Sequence, residues 1–144
     1  MTHILKLFNL FLSITAKLEP AMLFVVRLGA AYIFMSSGLV KIQDMESTIL
    51  LFEYEYQVPV LSPVLAAYAA TFMELAMPVL LIIGLGARAS AVPLLVMTAV
   101  IQTIYPNLQH AWWAIILGVV LFVGPGKWSI DHHIAKKHAS KTAA

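Results

Sequence analysis

Charged side chains within apolar segments are the residues of this sequence most able to do chemistry. Glu74 is the only charged residue in the apolar run 64–87, which is long enough to cross a bilayer core of roughly 30 Å. Inserting a carboxylate at that depth costs on the order of 3 kcal/mol or more, so Glu74 needs a partner or a water-filled cavity. Arg27 lies inside the preceding apolar run. The sequence therefore predicts that Arg27 and Glu74 pair between two helices.

The predicted Arg27–Glu74 pair has two interpretations. In the functional one, the pair lies in a polar pocket inside the membrane that binds a quinone head group or relays protons. In the structural one, the pair fixes the register of two helices, the other polar side chains only make bonds between helices, and His110 is a cap at the membrane surface. The predicted binding residues of the pocket are Arg27, Lys41, Tyr68, Glu74, Gln102 and His110.

The histidines do not form a metal-binding pattern. His132, His133 and His138 lie near Asp131, but adjacent histidines point to different faces of a helix, so we predict no metal site and no intrinsic cofactor. The absence of cysteine excludes dithiol chemistry, an iron–sulfur cluster on the chain's own thiolates and c-type haem attachment. No histidine lies in the interior of an apolar span, since His110 stands at the end of one, and this excludes bis-histidine haem within this chain alone.

Composition places these residues in a membrane protein. The chain has 144 residues, of which 61% are hydrophobic and 11% charged, and its mean hydropathy is +0.89. Soluble domains are typically about 45–50% apolar and about 25% charged. The net charge of +2 does not indicate a nucleic-acid partner, because the basic residues are spread over the ends of the apolar segments. The predicted partner is therefore the lipid bilayer.

The hydropathy pattern predicts an all-α, integral membrane four-helix bundle, formed by residues 1–144 as a single domain. Residues 1–19 contain an apolar run that is too short to span and is bounded by lysines, so they predict an N-terminal interfacial helix, with a frayed tail as the alternative. Pro20 is then suited to begin the first spanning helix. The four predicted spans are about 21–40, 64–85, 89–105 and 110–123.

Helical periodicity predicts which side of the first span faces the bundle. Arg27, Ala31, Phe34, Gly38 and Lys41 lie within roughly 40° of one line on a helix of 100° per residue, so this stripe is expected to face inward.

The acidic segment 42–63 is the only substantial loop, and a short surface helix is expected within it around Ser47–Glu55.

The distribution of lysine and arginine predicts the orientation. With four spans both termini lie on one side, and that side collects all the basic residues outside the spans except Lys41. Since basic residues are enriched on the cytoplasmic side, both termini are predicted to be cytoplasmic.

Four stretches of the sequence resemble motifs of the DoxX family of membrane proteins. Residues 124–134, GPGKWSIDHHI, are similar to the end of the family's fourth helix. The other three stretches are RLGAAYIFMSSGLVKI (27–42), FMELAMPVLLIIGLGAR (72–88) and YPNLQHAWWA (105–114). The last resembles the branch with a Tyr-Pro…His…Trp-Ala motif, and the resemblance covers about residues 20–135.

The resemblance implies a multi-pass protein of the bacterial inner membrane. The family includes a subunit of an archaeal thiosulfate:quinone oxidoreductase and membrane components of redox-stress complexes, and the Tyr-Pro…His branch accompanies copper-related modified-peptide systems. Quinone is therefore the one cofactor that the resemblance suggests. The polar positions shared with the family are Arg27, Lys41, Glu74, Arg88, His110 and Asp131.

Three functions are compatible with the sequence. The first is the membrane subunit of a redox or stress-protection system with a quinone site near Arg27 and Glu74, in which electrons come from a protein partner. The second is a non-enzymatic membrane anchor or assembly factor. The third is a small transporter, which would need a homo-oligomer because four spans are few. An enzyme activity is expected only as part of an oxidoreductase complex.

Overall fold

The structure, a computed structural model, describes residues 2–142, which form helices joined by short turns. No strand occurs between Thr2 and Thr142, so the predicted all-α class is confirmed for this part of the chain, and Met1, Ala143 and Ala144 lie outside the described residues. The helices are α1 (Thr2–Gln43), α2 (Met45–Leu51) with a π-helical turn after it (Phe52–Tyr56), α3 (Pro63–Ile83), α4 (Ala87–Ile104), α5 (Leu108–Phe122) and α6 (Ile130–Thr142).

The first helix is longer than the sequence predicted. Pro20 lies inside α1 instead of beginning a helix, and the segment expected as a separate interfacial helix is the first half of α1. A proline removes one backbone bond from a helix, but good helix formers such as Leu18 and Ala21 flank it on both sides. At about 1.5 Å per residue α1 is roughly 63 Å long. The position of its first half relative to a membrane surface stays a prediction.

Within the described residues, three helices are long and apolar enough to cross a bilayer, namely α1 from His3, α3 and α4. The apolar helix α5 has 15 residues, which at about 1.5 Å each give it a length of roughly 22 Å. This is shorter than a hydrocarbon core of about 30 Å, so a fourth crossing at α5 stays a prediction.

The helices pack around a core made by four of them. Small residues on α1 allow close contact with its neighbours, and the inward stripe predicted from periodicity is confirmed: Arg27, Ala31, Phe34 and Gly38 are buried and Lys41 is partly buried. The core residues are Ala30, Ala31 and Phe34 of α1, Leu81 of α3, Ala87, Ala91 and Leu94 of α4, and Leu117 and Val120 of α5.

The acidic segment between α1 and α3 folds over one end of the bundle. Asp44 caps α2 by accepting a bond of 2.9 Å from the Ser47 backbone N–H. Hydrogen bonds from Ser47 hold the pKa of the Asp44 carboxyl below its ordinary value. The surface helix expected around Ser47–Glu55 is thus present as α2 and the π-helical turn, which brings Phe52 and Tyr56 against α3.

Candidate functional site

Glu74 of α3 pairs with Lys41 of α1. The Lys41 Nζ lies 3.0 Å from Glu74 Oε1 and 2.8 Å from Oε2, and it also donates to Ser37 Oγ at 2.6 Å. The side chains of Lys41 and Glu74 are 14% and 8% exposed. Gly38 permits the close approach of the two helices, because a Cβ atom there would lie 2.9 Å from the Glu74 Cβ. The predicted pairing of Glu74 with Arg27 is therefore wrong.

Arg27 donates to backbone carbonyls at the other end of the bundle. Its Nη1 lies 2.9 Å from the Leu81 oxygen and 3.2 Å from the Ile82 oxygen, and its Nη2 bonds the Trp128 oxygen. The side chain is completely buried, and its Nε has no hydrogen-bond partner among the described residues. Helix α3 ends just beyond Ile82, so its last carbonyls lack partners within the helix and accept from Arg27.

Asp131 joins α6 to the turn between α3 and α4. Its carboxylate accepts from the Gly86 N–H at 2.7 Å and from the Ala87 N–H at 3.0 Å, at the N-terminus of α4 where negative charge is favourable. Its own N–H donates to the Gly84 oxygen at 2.9 Å. Asp131 also acts electrostatically on the charge of Arg27.

A glycine is required at position 84, where the end of α3 meets Arg27 and the start of α6. Its φ of +70° belongs to the left-handed region. A Cβ atom there would lie 2.5 Å from Arg27 Nη1 and 2.5 Å from the Ser129 Cβ. We call Arg27, Gly84, Trp128, Ser129 and Asp131 the Arg27 cluster.

The Lys41–Glu74 pair lies on the wall of a cavity of about 390 Å³, which we call the Lys41–Glu74 cavity. Val96 of α4 lines the cavity and is 57% exposed, so the cavity reaches the outer face of the bundle there. Most of the wall is apolar, with Ala66, Ala70 and Met73 from α3 and Val96, Val100 and Ile104 from α4.

Aromatic side chains of the acidic segment cover the cavity. Phe52 and Tyr56 lie edge to face with ring centroids 5.0 Å apart, and both line the cavity. Burial raises the pKa of Tyr56 above its ordinary value, and the carboxylates of Glu55 and Glu74 contribute to the rise. The Tyr105 hydroxyl donates to Glu55 Oε2 at 3.0 Å, which raises the pKa of Tyr105.

His110 contributes a second polar group to the cavity. Its Nδ1 lies 3.0 Å from Gln102 Oε1, and its ring contacts the Trp113 ring edge to face at 4.9 Å between centroids. Trp113 in turn packs against Phe34 of α1. The imidazole is 8% exposed, so Gln102 and Trp113 hold it in one orientation within the wall.

The structure brings together part of the predicted site. Lys41, Glu74 and His110 line the cavity. Gln102 does not line it, but its Oε1 forms a hydrogen bond with His110 Nδ1. Tyr68 is 55% exposed on α3, and Arg27 belongs to the Arg27 cluster, so neither lines the cavity.

The predicted binding residues did not include Tyr56, which lines the cavity, whereas its neighbour Tyr54 is exposed. The sequence has one signal that separates the two tyrosines. They lie two residues apart, so on a helix only one of them can face the bundle.

A model of the DoxX family matches residues 22–107. The chain belongs to the DoxX family. No curated protein and no solved structure matches it. The matched stretch runs from α1 to just beyond α4 and holds Arg27, Lys41 and Glu74, so both charged sites lie wholly or partly in the DoxX region. His110 and Asp131 of this DoxX protein come from helices beyond the matched stretch.

Proposed function

We propose that this DoxX protein is the membrane component of a redox or stress-protection system and that the Lys41–Glu74 cavity binds a quinone-type head group. The observation that carries the proposal is a buried ion pair on the wall of an otherwise apolar cavity. Ionisable groups inside membrane bundles mark ligand or proton pathways more often than plain packing. A cavity of about 390 Å³ also falls within the usual range of roughly 300–1,000 Å³ for small-molecule sites.

The chemistry of the wall suits an amphipathic ring. Apolar side chains of α3 and α4 would contact the ring and its tail, while Glu74, His110 and Tyr56 would form hydrogen bonds with the oxygen or hydroxyl groups of the head group, each as donor or acceptor according to its chemistry. Val96, at the exposed rim of the cavity, suggests entry from the lipid between helices. Arg27 does not line this cavity. The proposed quinone site therefore lies at Lys41 and Glu74, and not between Arg27 and Glu74 as predicted from the sequence.

The cellular setting belongs to the same proposal. We place the protein in the bacterial inner membrane with both termini in the cytoplasm, because Lys and Arg outside the spans lie almost entirely on the terminal side. A chain without cysteine needs a partner protein to deliver electrons, so the quinone would exchange them with that partner and not with this chain.

A non-enzymatic anchor is the second candidate, and the Arg27 cluster favours it. Arg27 and Asp131 fix the start of α6, a helix that carries Lys136, Lys137 and Lys141, onto the bundle. A firmly attached basic helix would suit the docking of a partner. A small oligomeric transporter, the third function compatible with the sequence, gains no specific support from these contacts.

The test is the quinone content, oxidised and reduced forms counted together, of protein extracted gently from its native membrane. Ala69 lines the cavity, so Ala69→Phe would fill it, whereas Val79→Phe places the same side chain at an exposed position of α3 outside it. We expect near-stoichiometric quinone in the wild type and in Val79→Phe, and quinone no higher than in bulk lipid in Ala69→Phe. Equal, lipid-level quinone in all three proteins would reject the quinone site and leave the anchor.

A further inference from the structure

Hydrogen bonds at Gln102 determine which nitrogen of His110 carries the proton. The Asn107 backbone N–H donates to Gln102 Oε1 at 3.2 Å, and His110 Nδ1 lies 3.0 Å from the same atom. A backbone N–H can only donate, so the atom between them is the amide oxygen, an acceptor. His110 Nδ1 must therefore carry the hydrogen. In the neutral imidazole this leaves Nε2 with a lone pair, as an acceptor for any ligand.

The ion pair also offers the cavity an acceptor and no donor. A lysine ammonium has three N–H groups, and Lys41 directs its bonds to Ser37 Oγ and to the two oxygens of Glu74. A carboxylate has about four acceptor positions, and Lys41 occupies two of those on Glu74. Glu74 therefore keeps acceptor capacity, while the charge of Lys41 is already bonded within the protein.

We infer that the Lys41–Glu74 cavity binds its ligand through hydroxyl groups of the ligand, so that it selects a phenol or hydroquinone over the corresponding quinone. A hydroquinone can donate to Glu74 and to His110 Nε2, whereas the oxygens of a quinone can only accept. If a quinone oxygen is buried against Glu74 or His110 Nε2, two acceptors face each other and neither forms a hydrogen bond. Leaving polar groups unbonded in an apolar site costs binding free energy. This inference rests on the proposed quinone-type site and adds the protonated, reduced form of the ligand.

The remaining polar groups of the wall do not reverse the preference. The hydroxyls of Ser37 and Tyr56 both donate and accept, so they serve either form. The Thr98 hydroxyl donates to the Leu94 carbonyl at 2.7 Å, so its hydrogen is already used. Trp113 adds one indole N–H, so the wall has one group that can only donate against two that can only accept, Glu74 and His110 Nε2.

The experiment compares three probes on wild-type protein in quinone-free lipid nanodiscs: decyl-hydroquinone, decyl-benzoquinone and the dimethyl ether of decyl-hydroquinone. Binding is measured as the excess of each probe over protein-free nanodiscs, determined by chromatography. We expect the hydroquinone to bind at least tenfold more tightly than the quinone and than the ether. The ether keeps the ring and the tail of the hydroquinone and replaces both of its donors by methyl ethers.

Variants then assign the preference to the wall. In Glu74→Gln, whose amide can donate, we expect the hydroquinone preference to fall below threefold, while Tyr68→Phe, exposed on the same helix, keeps it. Quinone binding as tight as or tighter than hydroquinone in the wild type would overturn the inference and preserve the proposed site. Binding of no probe above the Ala69→Phe level would reject the proposed site as well. The wild-type comparison decides the question even if Glu74→Gln does not fold.

Discussion

Arg27 and Lys41 lie on the same face of α1, about 21 Å apart along the helix, but they have different kinds of partner. Arg27 donates to main-chain carbonyls of α3 and of the turn before α6, so it bonds to groups that every sequence has. Lys41 bonds two side chains, Ser37 and Glu74, on the wall of a cavity. The Arg27 cluster therefore holds helices together, while the Lys41–Glu74 pair retains unused acceptor capacity beside open space.

The comparison separates two reasons for burying charge in a membrane protein. A guanidinium satisfies several helix-end carbonyls at once, which stabilises a junction of helices. A carboxylate with free acceptor positions next to a cavity gains little stability from them, and this is the reason why we propose a ligand there. Each site also depends on a glycine, Gly84 at the first and Gly38 at the second, because backbone must approach the charged side chain closely.

Arg27→Leu is the substitution with the largest expected effect. It removes the donor from the buried carbonyl of Leu81 and from the partly buried carbonyls of Ile82 and Trp128, and we expect the free energy of unfolding to fall by about 3–5 kcal/mol. Arg88→Leu is the matched control, since Arg88 is exposed and donates one bond to the Val123 carbonyl; its cost is expected below about 1 kcal/mol. Unfolding in mixed micelles followed by tryptophan fluorescence measures both. Equal losses of unfolding free energy in the two variants would mean that Arg27 stabilises the fold no more than the exposed Arg88 does.

The Lys41–Glu74 pair should behave as a coupled unit. Lys41→Leu and Glu74→Leu each leave one charge without its partner, and we expect each to lower the free energy of unfolding by about 2–3 kcal/mol, discounted for partial exposure. The double variant removes both charges and is expected to cost less than either single variant. The same unfolding measurement completes the cycle. Additive losses would show that the two side chains contribute independently.

Asp131→Ala tests how much the cap on α4 contributes to the Arg27 cluster. We expect a loss of about 1 kcal/mol and faster hydrogen exchange at the amides of Gly86 and Ala87, which donate to this carboxylate. Asp44→Ala is the control, because Asp44 caps the short helix α2 outside the cluster. Unchanged exchange at Gly86 and Ala87 in Asp131→Ala would contradict the assigned bonds.

The smallest effect concerns the cover of the Lys41–Glu74 cavity. The pKa of Tyr105 is raised because its hydroxyl donates to Glu55, so this bond is complete below the ordinary tyrosine pKa and is lost as the pH rises through the raised value. Glu55→Gln is expected to move the Tyr105 titration toward lower pH, whereas Glu53→Gln leaves it in place. Tyrosinate absorbance, with Tyr105→Phe as the subtracted reference, follows the titration. If Glu55→Gln left the Tyr105 titration unchanged, the hydrogen bond between Tyr105 and Glu55 would be contradicted.

The partner of Glu74 could not be obtained from the sequence. Helical periodicity determines the direction in which a side chain points around the helix axis, but it does not determine how far along that axis one helix lies relative to its neighbour. The inward stripe of α1 carries both Arg27 and Lys41, so either cation was a possible partner for Glu74. Arg27 was chosen because it lies inside an apolar run, but the axial position of α1 against α3 is set by contacts such as that of Gly38 with Glu74.

Residue types and their spacing were enough to predict the membrane environment of this protein, its all-α class and the inward face of the first span. Hydropathy and a 3.6-residue period depend only on residue types and their spacing, so they are present before any packing. The tertiary structure decided which groups meet: Lys41 with Glu74, Arg27 with the end of α3, and Tyr56 over the cavity. These contacts join residues far apart in the chain. Their geometry depends on the axial positions and the packing of the helices, which residue spacing within one helix does not determine.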